Sequence, residues 1–164
     1  MPDFYFAYGS NMNPARMRAR GLEFAHYEPA ILSGFELCFN KRAHNKHGVA
    51  YANIRTAPGR SVEGVLYTLD AQIHVMDPFE GTPVRYSREL FPTVTAGGVA
   101  WAWVYVANRA FVEDALSVEE NYLNHLLSAG ELLSESYRAW LSKLAPILPS
   151  DGIADGDTGL RLNV

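Results

Sequence analysis

A single cysteine, Cys38, is all that 164 residues provide. One thiol closes no intramolecular disulfide and builds no multi-cysteine metal centre. It sits among Phe35, Leu37 and Phe39, where a small buried hydrophobe is expected rather than a nucleophile. Positive charge is also short: 14 Lys and Arg stand against 18 Asp and Glu, for a formal net charge of -4. That balance gives no general attraction to nucleic acid or acidic membranes. No apolar run is long enough to span a bilayer, and no basic-then-apolar leader opens the chain. A cytoplasmic location is the default expectation. Internal repeats and linkers are missing too. With 48% hydrophobic residues, the economical reading is one domain over 1–164 with a full core.

One stretch runs against the overall charge: Lys41-Arg42-Ala43-His44-Asn45-Lys46-His47. Its length and composition read as a solvated hairpin tip, not a nucleic-acid patch. His44 and His47 have no further ligand with a clear placement, so neither a metal nor another cofactor is expected. The tail from Pro149 carries Asp151, Asp155 and Asp157, without the spacing or closing glutamate of a calcium loop. Residues 149–164 read instead as a mobile or surface-draped tail.

The first two thirds of the chain has the pattern of strands. Phe4–Tyr8 is apolar on both faces, as in a barrel or a central strand. Glu28–Leu32 and Phe35–Phe39 are separated by a bend at Ser33-Gly34. Val49–Arg55, Val62–Leu69, Val84–Thr95 and Val99–Ala107 follow, with Ala96-Gly97-Gly98 as a tight hairpin connection. Trp101 and Trp103 share one face of the last strand while Ala100, Ala102 and Val104 take the other, and packing is the default role for both faces. Asn13-Pro14 opens a short helix that Gly21 closes. Asp70 is placed to cap a helix running through Ile73 and Met76. Ser117 with Glu120 has capping-box spacing, with Gly130 as the stop. Tyr137, Trp140, Leu141 and Leu144 share one helical face that ends at Pro146. An α+β domain follows, with a small mixed β-barrel or strongly curved sheet and helices outside it.

Two segments carry candidate chemistry. In Tyr8-Gly9-Ser10-Asn11-Met12 a glycine allows close approach to the backbone. The N–H groups after it stand free near a helix start, where anions are favoured. An ordinary strand-to-helix turn has the same local signature. In Asp77-Pro78-Phe79-Glu80-Gly81, a carboxylate held against apolar surface acquires the raised pKa of a general base or acid. The same residues also fit a capping box, with Asp77 as cap and Glu80 as its third helical residue.

Taken in chain order, these segments resemble the γ-glutamylcyclotransferases and their AIG2-like and butirosin-cyclotransferase-like relatives. Phe6-Ala7-Tyr8-Gly9-Ser10-Asn11-Met12 is similar to the opening loop of that family. Val62-Glu63-Gly64-Val65-Leu66-Tyr67-Thr68-Leu69 is similar to its central strand, and Asp77-Pro78-Phe79-Glu80-Gly81 to its catalytic-glutamate segment, with Tyr86 shortly after. The likeness runs from Phe4 to about Pro146. It implies a small barrel in which the loop lines a cavity faced by the glutamate. Glu80 is then the catalytic residue, and the substrate-binding set is Tyr8, Gly9, Ser10, Asn11, Met12, Tyr86 and Tyr122.

The implied reaction closes a γ-glutamyl amide to 5-oxoproline and releases an amine. The substrate's own α-amine is the nucleophile, so the protein needs no Ser, Cys or metal nucleophile, which suits the poor supply here. The implied partner is a small γ-glutamyl substrate; neither nucleic acid nor membrane is expected, and a homodimer is reasonable for so aromatic a small protein. The leaving group is open among amino acids, amines, glutathione and a γ-glutamyl-protected metabolite. A non-catalytic binding module of the same fold is the alternative from another class.

Overall fold

A computed structural model describes residues 2–148; the expectation for the 149–164 tail lies outside the described residues. The strands are β1 (Phe4–Ala7), β2 (Phe24–Arg42), β3 (Ala50–Leu69), β4 (Tyr86–Thr95) and β5 (Gly98–Ala107). They close into a barrel in the order β1-β3-β2-β4-β5. Neighbours pair antiparallel, apart from the closing contact of Tyr5 on β1 with Trp103 on β5, which is parallel. The helices are α1 (Pro14–Ala19), α2 (Asp77–Glu80), α3 (Glu120–Leu127) and α4 (Glu135–Ser142). This is the mixed barrel with surrounding helices that the sequence implied.

Four expected strands prove to be two long ones. Opposite Ser33-Gly34, the partner of Ser33 is Ser61 while that of Phe35 is Thr56. The intervening Ala57-Pro58-Gly59-Arg60 is therefore an excursion from the ladder. The glycine and proline signals mark a bend in a continuous β2–β3 ribbon, not its ends. Close packing of β1 on β3 depends on Gly64: a Cβ there would lie 2.3 Å from the Ala7 carbonyl oxygen and 2.6 Å from the Phe6 ring.

Phe6, Val62, Val65, Tyr67, Ala102 and Val104 are fully enclosed in the core, and Leu126 of α3 and Leu141 of α4 join it. Small residues on β5 face inward, so the tryptophan face is turned out. Trp101 is 60% exposed, which corrects its assignment to packing. Trp103 is half-buried beneath the Arg88 guanidinium, 5.5 Å from the ring centre.

Helix starts differ from the local signals in instructive ways. Asn13 does cap α1, its Oδ1 accepting from the amides of Ala15 and Arg16. Ser117 does not cap α3: Glu119 holds the cap position, the Glu120 amide donates to the Ile147 carbonyl, and the Ser117 backbone pairs with Gly48 and Ala50. Asp70 caps nothing either. The Ile73–Met76 turn is 3₁₀, and the Ile73 N–H is taken at 2.7 Å by the Asp3 carboxylate from the other end of the chain. Ser134 caps α4 by accepting from Tyr137, and α4 ends at Ser142, short of Pro146.

Candidate active site

The chain leaves β1 through Tyr8 and Gly9 into a single 3₁₀ turn, Ser10–Met12. The amide of Met12 closes that turn on the Gly9 carbonyl at 3.0 Å. Among the described residues the amides of Ser10 and Asn11 have no backbone acceptor, and both residues line the cavity. Met12 itself is fully buried beneath the loop and does not line the cavity. Gly9 is at the tightest point: a Cβ there would sit 3.1 Å from the Tyr122 hydroxyl oxygen and 3.2 Å from the Ala52 Cβ. A side chain there would press on both neighbours, so space favours glycine.

Glu80 ends α2 and faces this loop. The capping box does not form, because neither Asp77 nor Glu80 turns back on its own helix. Asp77 Oδ1 accepts from the Tyr105 hydroxyl at 2.8 Å and pairs with Arg88 at 3.2 Å. Glu80 Oε1 accepts from Asn11 Nδ2 at 2.9 Å. Asn11 uses its whole side chain: Nδ2 also donates to the Tyr5 hydroxyl at 3.0 Å, and Oδ1 accepts from Arg20 Nη1 at 2.8 Å. Its backbone carbonyl takes the Tyr67 hydroxyl at 2.8 Å. With the residue buried and both polar atoms of its side chain occupied, this side-chain amide has one orientation, and it fixes the Glu80 carboxylate with it.

Tyrosines form the walls. The Tyr8 hydroxyl donates to the Tyr105 carbonyl, and the Tyr86 hydroxyl donates to the Ala52 carbonyl at 3.0 Å. The Tyr122 hydroxyl oxygen accepts the Ala52 amide, also at 3.0 Å. Burial pushes the hydroxyls of Tyr5, Tyr8 and Tyr86 well above their ordinary pKa, and that of Tyr122 up to about 12. All four therefore stay neutral hydrogen-bonding groups. For Glu80 too, burial is the leading influence and pushes the carboxyl above the usual range; Arg20, Lys41 and the Asn11 amide pull it back. A half-buried carboxylate so balanced suits proton exchange near neutral pH.

The cavity has two lobes that share Ser10, Glu80, Tyr86 and Tyr122. The inner lobe, of about 310 Å³ including its mouth, adds Tyr5, Tyr8, Gly9, Asn11, Ala52 and Tyr105. The outer lobe, of about 400 Å³, adds Arg20, Lys41, Tyr51, Phe79 and Arg85. The structure thus brings together Tyr8, Gly9, Ser10, Asn11, Glu80, Tyr86 and Tyr122, and leaves Met12 underneath.

Sequence reasoning missed the cations. Lys41 was expected on a solvated tip but is 3% exposed. It is near the end of β2, on the strand face turned to the cavity, with its ammonium 5.3 Å and 5.4 Å from the ring centres of Tyr51 and Tyr86. Lys46 is also held, by Glu119 at 2.6 Å. Only Arg42, His44, Asn45 and His47 of that stretch are exposed. Asn40 beside it is buried as well and the ladder shifts register between Phe39 and Lys41, so strand alternation in the sequence held no clear signal for Lys41. Cys38 is half-buried, donates weakly to Asn40 and to the Asn53 carbonyl, and burial pushes its thiol up to about 11, away from a reactive thiolate.

A closed five-stranded barrel whose first strand empties into a cavity-lining loop opposite a lone glutamate is the γ-glutamylcyclotransferase-like fold. The family model for gamma-glutamyl cyclotransferase, AIG2-like, matches residues 5–126, and the chain belongs to that family. No curated protein matches it. Among solved structures, a gamma-glutamyl cyclotransferase superimposes with a TM-score of 0.78 at 21% identity, over 94% of this chain and 95% of the other. The uncharacterized protein loc79017 from Homo sapiens gives 0.80 at 22% identity, over 93% and 94%. A gamma-glutamyl cyclotransferase specific to glutathione from yeast gives 0.57 at 16% identity, over 86% and 96%. At such identities the likeness is one of fold.

Proposed function

We propose that this protein cyclises a γ-glutamyl amide to 5-oxoproline and releases the attached amine, with Glu80 as the proton-transfer residue. The observation that carries the reading is the Glu80 carboxylate, held by Asn11 at 2.9 Å against a loop whose Ser10 and Asn11 amides have no backbone acceptor among the described residues. In the first step the carboxylate takes a proton from the substrate's α-ammonium. The freed nitrogen attacks the γ-carbonyl carbon, forming the ring C–N bond and a tetrahedral oxyanion. As that intermediate collapses, the amide C–N bond breaks and the departing nitrogen takes the proton back from Glu80. The ring nitrogen, which still carries two hydrogens, gives its second proton to the regenerated carboxylate, which passes it to the released amine, leaving a neutral lactam and an ammonium ion. Proton and electron pairs balance without any other reactant.

The inner lobe supports this by shape. Holding the glutamyl chain folded, amine over carbonyl, can lower a barrier by roughly 7–11 kcal/mol through orientation alone. The amides of Ser10 and Asn11 are the available donors for the oxyanion or the substrate carboxylate, and Tyr8, Tyr86 and Tyr122 enclose the acyl group. A single oxyanion donor typically contributes about 3–4 kcal/mol.

The test is 5-oxoproline release from a panel of γ-glutamyl dipeptides, γ-glutamylamines and glutathione. Glu80→Gln keeps the shape and removes the base, and is expected to lower kcat/KM by about 10²–10⁴. A folded Glu80→Gln variant that turns over substrate at the parental rate would overturn the assignment.

A further inference from the structure

The outer lobe has a charge that the cyclisation step does not use. Lys41 is nearly excluded from solvent, yet its ammonium has no ion-pair partner among the described residues and rests between two tyrosine rings. Arg85 lines the same lobe, and its guanidinium likewise has no carboxylate partner among the described residues. Arg20 closes the side nearer Glu80, bonded to Asn11 and lying 5.2 Å from the centre of the Phe79 ring. With Glu80 ionised, the lobe holds these three cations against a single anion. Two of those cations repel each other: burial first, and Arg85 second, push the Lys41 ammonium down to about 8. A buried ammonium without a counter-ion is costly, and rings recover only about 0.5–2 kcal/mol of it.

We infer that the outer lobe is a carboxylate subsite in which Lys41 and Arg85 bind an anionic leaving group, so the substrates are γ-glutamyl amino acids or peptides rather than γ-glutamylamines. This rests on the proposed cyclisation at Glu80, whose carboxylate faces both lobes. In a γ-glutamyl amino acid the carboxylate lies two bonds from the departing nitrogen. A substrate with its γ-carbonyl in the inner lobe therefore presents that group to the outer one. The amine left by a γ-glutamylamine brings no anion, and the cations would remain uncompensated when the site closed over it. Tyr51 and Phe79 supply the lobe's apolar wall for the rest of the leaving group.

The experiment compares γ-glutamylalanine with γ-glutamylethylamine, which differ only by the carboxylate. In the parent, kcat/KM for the alanine compound is expected to exceed that for the ethylamine by about 10²-fold, as for a buried, charge-assisted contact. In Lys41→Met with Arg85→Met the ratio is expected to fall to within a few-fold of unity. Equal rates, or faster turnover of the ethylamine compound, by the parent would overturn the subsite while leaving cyclisation standing. An unchanged ratio in the folded double variant would also overturn it. Calorimetric binding of the same pair to Glu80→Gln reads the subsite without turnover: tighter binding of the alanine compound supports it, and equal binding rejects it. Failure of the parent to release 5-oxoproline from either compound is instead a failure of the underlying reading.

Discussion

Replacing Asn11 by aspartate changes one atom's chemistry in the middle of the site and little of its shape. Nδ2 of Asn11 donates both to Glu80 Oε1 at 2.9 Å and to the Tyr5 hydroxyl at 3.0 Å. In Asn11→Asp that donor becomes an acceptor, and two carboxyl groups face each other. Unit charges about 4 Å apart repel by about 4 kcal/mol at an effective dielectric of 20, so the pair retains a proton through neutral pH. Arg20 decides where. Its Nη1 already lies 2.8 Å from Asn11 Oδ1, and it fixes the negative charge on the new carboxylate. The proton is left on Glu80, which then cannot act as a base. The assay is kcat/KM for 5-oxoproline release against pH. The acid limb is expected to move upward by more than about one pH unit, with a fall of at least ~10-fold at pH 7 and recovery toward alkaline pH. Asn11→Ala, which removes the donor without adding charge, should move the limb less and in the same direction. An unmoved acid limb in a folded Asn11→Asp variant would refute the coupling between this amide and Glu80.

Glu80 should also limit stability. Its folded pKa is raised, so the fold favours the protonated form. That contribution is full below the unfolded pKa and lost as pH rises through the folded one. Glu80→Gln should therefore melt above the parent at pH 8 and level with it near pH ~4; equal Tm values at both would count against a burial-raised carboxyl. Gly9→Val crowds the Tyr122 hydroxyl and Ala52, and overpacking of about 1–3 kcal/mol should appear as a raised KM and a lower Tm. Unchanged affinity in the folded variant would argue against a substrate seat at this loop. Gly64→Ala meets the Ala7 carbonyl, which is backbone and cannot rotate away; a loss of about 3 kcal/mol or more is expected in denaturant unfolding, and a neutral result would contradict the close docking of β1.

Where the chain's own period decided the outcome, the sequence was readable. The doubly apolar Phe4–Ala7 strand, the hairpin between β4 and β5 and the Asn13 cap of α1 all follow from neighbouring residues. The misreadings share a cause, since in each a local signal was overridden by a partner far along the chain. Asp70 and Ser117 look like caps, but the Asp3 carboxylate took the Ile73 amide and the Ile147 carbonyl took the Glu120 amide. Ser33-Gly34 and Pro58-Gly59 look like strand ends, but the barrel needed two long strands bent at the same level. Lys41 looks solvated because charged residues follow it, whereas a register shift between Phe39 and Lys41 leaves it buried with Asn40, against the rings of Tyr51 and Tyr86.

Asp77 and Glu80 show why the glutamate was the least decidable residue from its segment alone. Their spacing fits a capping box, and a capping box satisfies both groups locally. A helix of one turn gains little by it, however, because so short a helix has no stability of its own and is held by what it packs on. Bonds from β4 and β5 to Asp77, and from the Ser10–Met12 turn to Glu80, take over both carboxylates. The helix is thereby pinned at one end to the barrel wall and at the other to the loop that lines the cavity. The position of the candidate base is then set by Tyr105, Arg88 and Asn11 rather than by helix geometry. The two motifs, separated by most of the first half of the chain, behave as one site because neither carboxylate was used locally.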